Sequence, residues 1–213
     1  PVPPNKLTKS TKETGKVWYL SHFGVYHPQK PNKIRVVFDS SAEYQGVSLN
    51  KDLLSGPDLL NSSLGILIRF RRDNVVVSCN IEQMFHNFYV NPEHQDLLRF
   101  LWFEDNNMKK RVIEYQMTVH LFGNTSSTAV ATFGLRKTAD VGEEEFGQLA
   151  REFVYNDFYV DDGLTSSSNP EEAINLVKRT KAMLATANLK LHKIASNAVE
   201  VMKTMPLEDR LDS

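Results

Sequence analysis

The sequence predicts an α+β fold built on a mainly antiparallel sheet. Three observations carry this. Short β-branched and aromatic runs stand beside turn signals instead of alternating regularly with helices. The acidic stretch at 104–107 joins two such runs as a hairpin. Two helical patterns then follow one another between Ser126 and Tyr155.

Each element has its own signal. Residues 1–16 hold three prolines and four lysines with almost nothing apolar, and are predicted to be a flexible lead-in. Residues 33–39, KIRVVFD, are apolar and β-branched in the middle and predict a strand. Gly56-Pro57-Asp58 opens a helical stretch with Leu60, Leu64, Leu67 and Ile68 on one face. Residues 75–79 form a short apolar run, as expected of a strand buried on both faces. Residues 97–103 and 111–118 are the two arms of the hairpin. Ser126 or Ser127 caps a helix running to about Thr138. A second helix is expected over 143–155, with Glu143, Glu144 and Glu145 at its positive end and Phe146, Leu149 and Phe153 on one stripe. Residues 157–163, DFYVDDG, read as a strand entering a hairpin turn at Asp162-Gly163. Asn169, Pro170 and Glu172 are a helix start. Ile174, Val177 and Leu184 give that helix a buried face, and Asn188 stops it. Leu189, Leu191 and Lys193 alternate as a last strand, and residues 202–213 read as a polar trailing end.

Composition excludes several classes. The 213 residues suffice for one or two domains with a real core. Cys79 is the sole cysteine, which excludes a disulfide framework and argues against a zinc cluster, although His22 and His27 are close in sequence. No apolar run approaches the roughly 18 residues of a membrane span, and the first sixteen residues lack the apolar segment of a secretory signal. The net charge of −1 is a cancellation: residues 1–79 carry +5 and residues 80–213 carry −6. Near-neutrality therefore does not speak against a nucleic-acid protein, because the basic half has the charge that phosphates require.

The sharpest chemical feature is Tyr159-Val160-Asp161-Asp162. Adjacent carboxylates repel unless a cation neutralises them, and hard cations such as Mg²⁺ prefer such oxygens. The competing reading is a solvated acidic turn. A second feature is VVVSCNIEQMFH at 75–86, a buried strand that leaves its sheet through the polar Asn80.

Together with other stretches these features resemble a reverse transcriptase, in particular that of BEL/Pao-type long-terminal-repeat retrotransposons. The stretches stand in the family's order: KIRVVFDSSAEYQGVSLN (33–50), LLSGPDLL (53–60), CNIEQMFHNFYV (79–90), LRFLWF (98–103), YQMTVHLFGNTSS (115–127), FYVDDG (158–163) and LKLHKIASN (189–197). The resemblance covers nearly all of residues 17–200. It implies the fingers and palm of a right-hand polymerase, with fingers over about 17–74 and palm over about 75–200, interrupted by a fingers-like insertion at about 91–118. It implies deoxynucleotide addition to a primer 3′-hydroxyl on an RNA or DNA template. Two Mg²⁺ ions, or Mn²⁺, would serve an in-line displacement.

The roles follow position by position. Asp161 and Asp162 match the paired metal-binding aspartates, Asp161 as ligand to both ions, and the Ile81 carbonyl matches a further metal contact. Arg35 matches a triphosphate-binding arginine, supported by Lys33 or Lys30. Phe85 matches the aromatic gate against a ribose 2′-hydroxyl. Phe122 and Gly123 match the segment against nucleotide and template, and Lys193 a lysine that protonates pyrophosphate. Without the resemblance, Phe85 reads as core, Arg35 and Lys33 as a solvated edge, and Phe122-Gly123 as a turn. His86 and His120 read as structural in either case. One departure stands out: Asn80 occupies the place of a metal-binding aspartate. The expected activity is therefore impaired, and the alternative is a catalytically inactive nucleic-acid- or protein-binding module. Thr128, where the family usually has proline, is expected to matter little. Thumb, RNase H and integrase segments are not evident, and those other Pol polyprotein domains are the implied partners. The implied setting is intracellular: cytoplasmic, in a virus-like particle, or nuclear.

Overall fold

The computed structural model of the chain describes residues 7–9, 16–27 and 30–211, with side chains described over 16–26 and 34–211. Strands β1 (Leu7–Lys9), β2 (Ser21–His27) and β3 (Lys30–Asp39) come first, then helices α1 (Leu49–Asp52) and α2 (Ser63–Phe70). Strands β4 (Val75–Ile81), β5 (Arg99–Phe103) and β6 (Val112–Met117) follow. Helices α3 (Ser127–Phe146) and α4 (Gln148–Asp157) lead into β7 (Phe158–Tyr159) and β8 (Asp162–Ser167). Helix α5 (Pro170–Ala185), strand β9 (Leu191–Ser196) and helix α6 (Val199–Thr204) complete the order. The pairings between these strands are antiparallel, as the sequence predicts, and the isolated bridges Tyr19↔Arg99 and Ile194↔Arg210 are parallel. No helix among the described residues is long and apolar enough to cross a membrane.

The chain divides into two compact units. The first comprises residues up to Gly56 together with Phe85–Thr128. It holds a sheet of order β1-β6-β5 and the β2-β3 hairpin. Its core gathers Leu20, Phe38, Leu49, Leu98, Phe100 and Met117, with the rings of Phe38 and Phe100 5.0 Å apart. Arg99 is buried in this unit. Its guanidinium bonds Asp96 at 2.8 Å and Glu114 at 3.0 Å, so the buried cation is paired rather than stranded. Within the expected flexible lead-in, Leu7–Lys9 instead pairs with β6 in register Leu7↔Met117. Backbone pairing at a strand edge asks nothing apolar of the added segment, which is why composition hid it.

The second unit comprises Pro57–Met84 and the chain from Ala129 onward. Its sheet has the order β7-β8-β4-β9. Strand β4 is central and alternates, with Val75, Val77, Cys79 and Ile81 buried and the residues between them half-buried. It is not buried on both faces as expected, because an antiparallel sheet keeps one face open. Helix α5 begins as predicted, with the Asn169 side chain accepting from Glu172 N at 3.0 Å and Pro170 in the first turn. Asn188, past its end, has φ 59°.

Three expectations are corrected here. Helix α2 starts at Ser63, not near Gly56, because the Asp58 carboxylate accepts from Leu60 N in a local turn and Ser62 supplies the cap. Of its apolar residues Ile66 is buried, while Leu64, Leu67 and Ile68 are exposed. Helix α3 runs on to Phe146, so Glu143, Glu144 and Glu145 close that helix instead of opening the next. Arg151 offsets the acidic end, reaching Asp140 at 2.8 Å and Glu143 at 3.3 Å. Gly147, at φ 92°, makes the break. Helix α4 therefore buries Ala150, Phe153 and Val154, and Leu149 stays exposed. Finally, the trailing end is packed. Val201, Met205 and Asp209 are buried, Asp209 pairs with Lys181, and Leu211 N donates to Ile194 O at 3.0 Å.

Candidate active site

The paired aspartates sit on the β7–β8 hairpin of the second unit. Tyr159 pairs with Asp162 across it, so Val160 and Asp161 form the turn and Asp162 opens β8. The turn thus lies before the Asp162-Gly163 pair that the sequence marked. Gly163 serves packing instead: a Cβ there would stand 2.7 Å from Phe158 Cζ and 2.9 Å from Cys79 Sγ. Val160 has φ 54°, a left-handed conformation that is a true outlier for a β-branched residue. Ile81 N donates to Asp161 O at 2.9 Å, which ties the turn to the end of β4.

Asn80 lies in the middle of one row across the sheet. It faces Asp162 on β8 and His192 on β9. Its Nδ2 donates to Asp161 Oδ2 at 2.9 Å and to Asp162 Oδ1 at 2.9 Å. Its Oδ1 lies 3.1 Å from His192 Nε2. A carboxylate only accepts, so the amide nitrogen must face the aspartates and the amide oxygen the imidazole. The amide thus bonds both acids, where adjacent charges would otherwise face each other alone. Burial holds the His192 pKa below its ordinary value. Glu82 opposes that shift, while Lys193 and Lys190 reinforce it. The amide oxygen can only accept, so Nε2 is the donor in this pair. Beneath the pair, burial and then the Asp162 charge push the Cys79 thiol up to about 12.

Lys193 stands at a β-bulge. The β4–β9 register passes from Ser78↔Ala195 to Asn80↔His192, and Lys193 takes φ 50° there. It is exposed, and no hydrogen bond joins it to either aspartate. In the first unit, Arg35 is exposed on β3 opposite Val25, and forms no ion pair or hydrogen bond among the described residues. Lys30 and Lys33 lie in the same strand, with side chains outside the described residues. Phe85 and Phe122 come together, their rings 5.8 Å apart and tilted at 64°. Phe122 is 74% exposed, so a stacking face is open to solvent. Gly123 has φ 100°, and a Cβ on it would lie 3.5 Å from Phe38 O. His120 is half-buried, and burial lowers its pKa.

Three positioning residues had no sequence signal of their own. His192 becomes visible only through the strand register. Asn50 donates to Gly123 O at 2.9 Å and Ser41 Oγ at 3.0 Å and accepts from Thr125 N at 2.9 Å, which fixes the Phe122-Gly123 turn. Asn61 Nδ2 donates to Tyr155 O at 2.8 Å and Phe158 O at 2.9 Å, anchoring the start of β7.

The donors at the hairpin do not fit a two-ion site as they stand. The two aspartate oxygens that point at Asn80 carry its amide hydrogens, and the amide oxygen is turned to His192. Among the described residues there is no group of three or more His, Cys, Asp or Glu side chains that could hold a metal ion.

No family model and no curated protein matches this sequence. Solved structures do. A foamy viral protease–reverse transcriptase in complex with double-stranded DNA aligns with TM-score 0.63 and 19% identity, over 88% of this chain and 28% of that one. The native prototype foamy virus protease–reverse transcriptase gives 0.61 and 21%, over 88% and 21%. The foamy viral enzyme in complex with an RNA/DNA hybrid gives 0.61 and 21%, over 88% and 21%. The chain therefore spans between a fifth and a third of the length of these proteins. Across that span it has a reverse transcriptase-like polymerase fold.

Proposed function

We propose that the chain is the fingers–palm region of a reverse transcriptase of BEL/Pao descent that binds primer and template but is impaired in nucleotide addition. The second unit acts as palm and the first as fingers. The observation that carries this reading is the Asn80 amide bonded to both aspartates on the central antiparallel sheet. Template-directed addition of a deoxynucleotide by two-Mg²⁺ (or Mn²⁺) phosphoryl transfer needs charge-dense ions between the attacking and leaving oxygens. Here a neutral hydrogen-bond donor stands where a third carboxylate would help hold them.

Binding needs none of that. Arg35, whose guanidinium forms no ion pair or hydrogen bond among the described residues, supplies a planar fork for a triphosphate or backbone phosphate. Phe122 offers an aromatic face for a base or sugar. The DNA and the RNA/DNA hybrid in the foamy viral complexes support nucleic acid as the partner class. The other Pol domains are the natural covalent partners.

The test is binding of a labelled primer–template at several salt concentrations, with incorporation of one nucleotide measured in parallel. Affinity that falls as salt rises, weakens in Arg35→Ala, and is accompanied by little incorporation supports the reading. Absence of salt-dependent binding, or rapid incorporation by the unaltered chain, contradicts it.

A further inference from the structure

We infer that Asn80 and His192 form a hydrogen-bonded lock that holds Asp161 and Asp162 together without a divalent ion, with His192 setting the polarity of the lock. This inference rests on reading the hairpin carboxylates as a former metal site. It adds that the site now satisfies itself.

A carboxamide has two donor hydrogens and one oxygen in nearly the same outline. At Asn80 both hydrogens are spent, one on Asp161 Oδ2 and one on Asp162 Oδ1, each at 2.9 Å. A cation approaching the aspartates from the Asn80 side meets those same two oxygens. Ion and amide therefore compete for one place. The amide is tethered beside that place by its backbone, since Asn80 is directly opposite Asp162 in the sheet. An ion must come from solution and displace it.

The lock holds only while the amide keeps its orientation. Turned over, it would aim its oxygen at the carboxylates and become a ligand instead of a competitor. In the tautomer that carries its proton on Nε2, His192 opposes this turn. It is directly opposite Asn80 on the other neighbouring strand, and its Nε2 is 3.1 Å from the amide oxygen. With Nε2–H donating, the turned amide would place its nitrogen against another donor. Ile81 N bonded to Asp161 O keeps the turn within the reach of the amide. His192 is thus a positioning residue acting through Asn80.

Mn²⁺ binding by paramagnetic resonance, together with thermal unfolding in chelator and in Mn²⁺, tests the lock without nucleic acid or turnover. Its failure therefore leaves the nucleic-acid reading standing. The unaltered chain is expected to unfold at the same temperature in both conditions and to bind Mn²⁺ weakly. Asn80→Ala should lose stability in chelator and regain it with Mn²⁺, since two unshielded carboxylates remain. His192→Phe should bind Mn²⁺ about tenfold or more tightly than the unaltered chain, the scale on which an outer partner tunes an ion site. His192→Gln, which restores a donor to the amide oxygen, should return to the unaltered behaviour. Mn²⁺ binding by the unaltered chain as tight as that of Asn80→Ala overturns the lock. His192→Gln that behaves like His192→Phe overturns the role of His192.

Discussion

Cys79 shows how closely the site is packed at the scale of one residue. Its thiol lies 3.6 Å from Gly163 O, under the strand that carries Asp162. An unfolded thiol ionises near pH 9, whereas Cys79 in the fold keeps its proton up to about 12. Above pH 9 the unfolded chain thus binds fewer protons than the folded chain. The stability linked to this group is complete below pH 9 and is lost as the pH rises toward 12. The predicted slope is roughly 1 kcal/mol per pH unit within that window. Urea unfolding at several alkaline pH values, compared with Cys79→Ala, measures it. Equal pH dependence in the two proteins would contradict the burial account. Asn80 belongs to the same scale. That Asn80 stands where a metal-binding aspartate would be is what the family resemblance implies. What the amide bonds to is not legible in the sequence, since its partners lie 81, 82 and 112 positions away.

Among the elements, the β7–β8 hairpin holds a branched residue in a left-handed backbone. Val160 at φ 54° combines a branched Cβ with a left-handed backbone, which costs on the order of 1–2 kcal/mol. Asn tolerates this conformation far better. Val160→Asn is predicted to raise stability by about 1 kcal/mol in urea unfolding. A loss of stability would show that the half-buried valine contributes more through contacts than its backbone costs. The sequence placed this turn two residues late because Asp-Gly is a strong turn signal. The glycine is required instead by Phe158 and Cys79, which leave no room for a Cβ. The acidic run at 143–145 misled in a similar way. It suits a helix start, but the break needs Gly147, and Arg151 makes the acidic helix end tolerable.

On the scale of the whole chain, strands of the central sheet and helix α5 were legible because their signals are local: short apolar runs, and an Asn-Pro-Glu start. The trailing segment was not legible. Its buried apolar residues, Val201 and Met205, are few and spaced among polar ones, and its anchor is an ion pair between the half-buried Lys181 and the buried Asp209. Truncation after Asn197 is predicted to cost roughly 3–6 kcal/mol, the value of two buried apolar side chains. An unchanged urea midpoint in the truncated protein would contradict that packing. The charge division between the chain's halves is what the proposed function uses: a basic region for phosphates and an acidic one that holds the aspartates. The central claim of the proposed function is that Asn80, in that acidic region, weakens nucleotide addition. Primer extension in Mg²⁺ by the unaltered chain and by Asn80→Asp, both joined to a thumb segment, tests it most directly. The account predicts that Asn80→Asp extends about a hundredfold faster or more, the scale of one charge-stabilising group at a reacting centre. Equal extension rates in the two proteins would contradict it.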